Sequence, residues 1–229
     1  MTNHTADVSI NRTARIAGFL YLMLLPLGIF GMAVSSSLVV PGDAATTTQN
    51  ILASESLFRL SSVSALLVQI INVFVVLALY QLLKPAGKMM ARSMVLFLLL
   101  GVPIAMLNEL NQFAVLLVLH SGSQSQVLIP LFLDLHQLGI SIAGIFWGLW
   151  LFPMGYLVFK SGYLPRILGI LLIVGCLGYL IDSFAVFLLP NYKASVALFT
   201  FWGEVLFPLW LLIKGVNVEQ WKKRALTSA

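Results

Sequence analysis

Residues 134–160 read DLHQLGISIAGIFWGLWLFPMGYLVFK, an apolar stretch with an acid and a histidine near its start and a lysine at its end. As a helix rising about 1.5 Å per residue, it is long enough to cross the roughly 30 Å hydrocarbon core of a bilayer. Its centre, Phe146-Trp147-Gly148-x-x-Leu151-Phe152-Pro153, returns as Phe201-Trp202-Gly203-x-x-Leu206-Phe207-Pro208, with six of eight positions identical. Two segments sharing such a motif sit in the same solvent, in the same orientation, doing similar packing work. That solvent is lipid.

Composition agrees. Of 229 residues, 60% are hydrophobic and 9% charged, and the mean hydropathy is +0.99, outside the range of soluble domains. Six apolar runs are predicted to span: 16–40, 57–83, 92–119, 127–159, 166–189 and 194–213, each near or above the roughly 20 residues a bilayer needs. The first resembles a signal peptide but is too long for one, so it is read as a retained helix. The predicted fold is therefore an all-α six-helix transmembrane bundle, compatible with three helical hairpins in series. A polar tail (1–15) precedes the transmembrane domain (16–214), and a basic tail (215–229) follows it. The polar loop 41–56 is expected to be partly helical near 50–57. The glycosylation patterns at Asn3 and Asn11 are read as empty, because that tail is expected inside.

The net charge of +5 does not point to nucleic acid, because the basic residues stand singly between apolar runs. They mark topology instead. Connections expected inside hold Arg12, Arg15, Lys84, Lys88, Arg92, Lys160, Arg166, Lys214, Lys222, Lys223 and Arg224; those expected outside hold Arg59 and Lys193. Eleven against two places both termini in the cytoplasm. The single cysteine, Cys176, lies in an apolar run and is read as a packed thiol.

The informative residues are ionisable ones inside apolar runs, where an unpaired charge costs several kcal/mol. Glu109 lies about 25 Å from Arg92, Asp182 about 24 Å from Arg166, and Glu204 about 15 Å from Lys214. Gln69 and Asn72 are about 22 and 18 Å from Lys84, again counting along a helix. All five fall in the middle to outer part of the membrane, and the inner half is nearly free of polar groups. Helical spacing puts Asn108 and Gln112 on the Gly101–Ala105 stripe beside Glu109. It puts Asp182 with Gly175, Gly178 and Tyr179, and Asp134 with Gln137, Ser141, Gly144 and Gly148. Small and polar residues on these faces direct the acids into the bundle. Arg59 is the basic residue near the outer end and is expected to pair with Asp134 or Asp182, or to snorkel to headgroups.

Asp134 and His136 resemble a metal or acid–base pair, and Glu109 would complete a ligand set. Two positions on a helix differ by about 200°, however, which turns them to different sides. His120 is read as solvated, and too few histidines remain for haem. Pro103, Pro153 and Pro208 are expected to kink their helices.

Several further motifs carry a family likeness: Arg15-Ile16-Ala17-Gly18 leading to Tyr21-Leu22, Leu57-Phe58-Arg59-Leu60, and Gly148-Leu149-Trp150-Leu151-Phe152-Pro153-x-Gly155-Tyr156. Lys160-Ser161-Gly162-Tyr163-Leu164-Pro165-Arg166-Ile167-Leu168-Gly169 and Gly178-Tyr179-Leu180-Ile181-Asp182 extend it over nearly the whole chain. Together they resemble the bacterial membrane family catalogued as domain of unknown function 4386 (DUF4386). The resemblance implies a multi-pass protein of the bacterial cytoplasmic membrane and adds no catalytic residues.

Walker, dinucleotide, His-Glu-x-x-His and GxSxG motifs are all absent, so nucleotide-driven and common hydrolytic chemistries have no sequence support. Three roles stay open. The first is binding or transport of a small polar or cationic ligand in an acidic outer-half cavity, with Glu109, Asp182, Glu204, Asp134, Asn108, Gln112, Asn72 and Arg59 as binding or counter-charge candidates. The second is a non-catalytic membrane subunit whose acids knit helices together. The third is an intramembrane enzyme using Glu109, Asp134 and His136. No cofactor is assigned, the partner is the lipid bilayer, and oligomerisation is left open.

Overall fold

The computed structural model describes the backbone of residues 2–121, 128–189, 192 and 194–227, and side chains from residue 9 onward. Lys193, residues 122–127 with the predicted start of the fourth span, and the side chain of Asn3 lie outside the described residues. Among the described residues there is no strand. The chain folds as α1 Thr2–Leu38, α2 Ala44–Ala53, α3 Glu55–Leu83, α4 Lys88–His120, α5 Leu128–Ser161, α6 Arg166–Leu188, α7 Ala197–Thr200, α8 Trp202–Ile213 and α9 Val218–Thr227. A 3₁₀ turn at Lys84–Ala86 joins α3 to α4.

Five stretches among the described residues are long and apolar enough to cross a bilayer: Ser9–Leu38, Glu55–Ala86, Lys88–His120, Leu128–Ser161 and Arg166–Leu188. A sixth crossing is reached if Ala197–Ile213 and Val218–Thr227, bent by 104°, count as one. Their outer faces are apolar: Leu117 is 73% exposed and Phe199 77%. Water would penalise such a surface, so these helices imply a bilayer environment.

Three boundaries differ from the sequence reading, each for a local reason. The first helix continues back through the polar tail to Thr2, because Ile10 and Ala14 find places in the main apolar core. The helix in the polar loop starts before the expected 50–57, at Ala44, since Asp43 caps it by accepting hydrogen bonds from the Thr46 backbone (2.9 Å) and hydroxyl (2.6 Å). The last apolar segment breaks at Phe201. Just before the break, the Thr200 hydroxyl bonds back to the Val196 and Ala197 carbonyls, a habit of Ser and Thr that bends helices.

Glycines set the closest helix contacts. A Cβ on Gly155 would stand 2.6 Å from the Gly169 carbonyl, and one on Gly203 would stand 2.7 Å from the Leu172 nitrogen. Gly148 likewise faces Tyr179 and Cys176. The repeated motif therefore presents its glycine to α6 from both α5 and α8. At one end of the bundle, hydrogen bonds join the basic segments. Tyr163 Oη and Trp221 Nε1 both donate to the Leu82 carbonyl (2.9 and 2.8 Å), and the Val216 amide donates to Asn11 Oδ1 at 3.1 Å. Gly215, at φ +68°, makes the turn from α8 into α9.

Two apolar cores result. The larger, at the basic end, includes Val75, Val76, Leu79, Met94, Leu98, Leu151, Met154 and Leu157. The smaller, at the opposite end, gathers Val34, Leu38, Ile51, Phe58, Val115, Leu116, Leu119 and Ile129. Between them, α3, α4 and α5 carry a polar layer.

Candidate functional site

The polar layer is built by residue spacing on three helices. On α4, Asn108, Glu109 and Gln112 share one side, and all are buried. His136 of α5 is buried opposite them. His136 Nε2 lies 3.1 Å from Glu109 Oε1 and 3.1 Å from Gln112 Nε2. From α3, the Ser62 hydroxyl donates to Gln112 Oε1 at 2.9 Å. Asn108 Nδ2 donates to the His136 carbonyl at 2.8 Å, while Asn111 Nδ2 donates to Asn108 Oδ1 at 3.0 Å. The Asn108 amide occupies the space a Cβ on Gly139 would fill. Only glycine at that position lets α5 close on it.

Nε2 of His136 serves one role at a time. As N–H it donates to Glu109; as a lone pair it accepts from Gln112. Glu109 Oε2 is buried and has no hydrogen-bond partner among the described residues. That oxygen is an acceptor aimed into the layer and unused by the protein.

The other sequence candidates lie elsewhere. Glu204 accepts from Tyr21 Oη at 3.0 Å, Tyr179 stands beside the same carboxyl, and Oε1 is buried without a partner. This second acid belongs to the contact of α1, α6 and α8. Asp182 is fully used as a cap: it accepts from Tyr192 Oη (2.6 Å), Ser195 Oγ (3.2 Å) and the amides of Val196 and Ala197 (both 2.8 Å). Its hold on Tyr192 raises that hydroxyl's pKa above the ordinary tyrosine value. Asn72 is buried on α3.

Two expectations are corrected. Asp134 is exposed rather than turned into the bundle; His136 takes the buried side, as a 200° separation requires. Arg59 pairs with neither Asp134 nor Asp182. It binds Glu55 one turn away, with Nη2–Oε1 at 2.6 Å, and His120 Nε2 approaches the same carboxyl at 3.5 Å. Among the described residues, no three His, Cys, Asp or Glu side chains come together as metal ligands. Of the suggested set, only Glu109 and His136 meet.

Sequence reasoning missed Ser62, Asn111, Gly139 and Tyr21. Only the seven-residue spacing of Ser62 to Gln69 on one α3 face hinted at the first; nothing local marks the others.

A family model described as domain of unknown function (DUF4386) matches residues 16–215. An uncharacterized protein of Archaeoglobus fulgidus is 36% identical over 160 residues, covering 70% of this chain and 86% of that one. No solved structure matches the chain.

Proposed function

The chain belongs to the DUF4386 family, whose description carries no activity, and we propose from its own geometry that it binds a small polar or cationic ligand at Glu109–His136. The observation that carries this reading is Glu109 Oε2, an acceptor in a buried polar layer with no partner among the described residues. Such a group costs about 1–3 kcal/mol when left unmet, and intramembrane acids mark functional sites by default. A donor-bearing cation would satisfy Oε2 while Oε1 keeps His136.

Six crossings with both ends cytoplasmic form the topology in this reading. The gathering of Lys84, Lys160, Lys214 and Arg224 segments at one end supports it. The polar layer then lies toward the outer leaflet, and the membrane is the cytoplasmic one. It is closed above and below by apolar side chains, so the ligand is held occluded rather than in an open acidic cavity. Asp182 favours a scaffolding role for itself alone, because its oxygens are consumed by a helix cap.

The test is equilibrium binding of labelled methylammonium to the full chain in nanodiscs. Saturable binding that is lost in Glu109→Gln supports the reading. Binding unchanged by Glu109→Gln would move the site elsewhere.

A further inference from the structure

The polar layer does not stop at Glu109. On α3, Gln69 stands seven residues inward of Ser62 and so on the same helix face. Ser62 reaches Gln112 of α4, and the two helices run antiparallel, which sets Gln69 level with Ala105. Gln69 is 5% exposed, and its Oε1 has no partner among the described residues. One turn further along α4 is Gly101. A Cβ there would lie 3.7 Å from Trp147 Nε1 of α5, and that indole N–H is also buried without a partner.

Three unmet groups thus follow one another along α4: the acceptor Glu109 Oε2, the acceptor Gln69 Oε1 and the donor Trp147 Nε1. Counted as levels along α4, each step is an axial rise of about one turn, roughly 6 Å. One water bridging two polar groups spans nearly the same distance, about 5.5–6 Å, through two hydrogen bonds. Buried polar groups without protein partners are ordinarily met by water when the site is polar on both sides. Inward of Trp147 the wall turns to Val75, Val76, Leu98 and Leu151, which offer water nothing.

We propose that the interface of α3, α4 and α5 holds a short file of about two bound waters, running from Glu109 past Gln69 to Trp147 and ending blind at the apolar core. The file is a neutral polar compartment beneath the Glu109 carboxylate. It stands whether or not a cation binds at Glu109.

A double-mutant cycle of Gln69→Met and Trp147→Phe tests it, with melting temperatures of the full chain in nanodiscs as readout. Both substitutions keep an apolar body of similar reach and remove the polar atom. If water links the two groups, removing either strands the other, so the double variant loses less than the sum of the two single shifts. If the groups are independent orphans, the shifts add, and Gln69→Met melts higher than wild type because a buried unmet acceptor has gone. Additivity, whatever the sign of the single effects, overturns the proposal. Trp147→Met replaces Trp147→Phe in the cycle if the latter does not yield folded protein.

Discussion

Glu109 differs from Asp182 in what its oxygens do. Asp182 spends both on a helix cap, so Asp182→Ala should shift the melting temperature down without altering cation binding. Glu109 keeps one oxygen unmet, and substitutions there should divide by chemistry. Glu109→Gln retains the shape and a hydrogen-bond partner for His136, and stability should change little. Glu109→Leu leaves His136 and Gln112 facing an apolar side chain and should cost about 1–3 kcal/mol. Thermal unfolding in detergent decides between them; equal losses for both would mean that the charge itself holds the helices. At Arg59 the expected effect is small. Its exposed pair with Glu55 should show a coupling of about 0.3–0.5 kcal/mol in a double-mutant cycle, fading in high salt. Coupling to Asp134 would restore the partner that the sequence suggested.

At the scale of helices, the site depends on positions that carry no chemistry of their own. Gly139 makes room for Asn108, so Gly139→Ala should separate α4 from α5 and destabilise the fold by about 1–3 kcal/mol, the range of an overpacked core. Gly42→Ala has open space around its Cβ and serves as a control whose cost is confined to a positive φ of 81°. The short α2 has a pH signature. Hydrogen bonds from Thr46 hold the Asp43 carboxyl below its ordinary pKa of 3.8. A depressed carboxylate stabilises the folded state fully above the unfolded pKa and loses that contribution as pH falls through the folded one. The melting-temperature gap between wild type and Asp43→Ala should therefore be present at pH 6 and shrink below about pH 3.8. A gap independent of pH would mean the cap acts without its charge. Element existence was legible from apolar runs because lipid demands them. Element ends were not, since α1, α2 and the break at Phe201 are set by Ile10, Asp43 and Thr200 through contacts that hydropathy does not register.

Across the whole molecule, the chain divides into a large apolar core at the basic end, a polar layer, and a smaller apolar core beyond it. The faces of Asn108, Glu109 and Gln112 could be read from spacing alone, because helical periodicity fixes the side on which each stands. Which acids share a site could not. Glu109, Asp182 and Glu204 look alike in sequence, and only the packing of α1 and α6 against α8, and of α4 against α5, gives them separate partners. Topology is testable at this scale. Cysteines placed singly at Lys88 and Gly162 in a Cys176→Ala background should label only from the cytoplasm, and one at Thr46 only from outside; the reverse pattern would invert the bundle. The most direct test of the central claim is ligand-linked stability of the full chain in nanodiscs, with sodium, ammonium and methylammonium. At least one of these cations is expected to raise the wild-type melting temperature, and Glu109→Gln to abolish the shift while Asp182→Asn keeps it. A wild-type protein indifferent to all three, or a shift that survives Glu109→Gln, would contradict it.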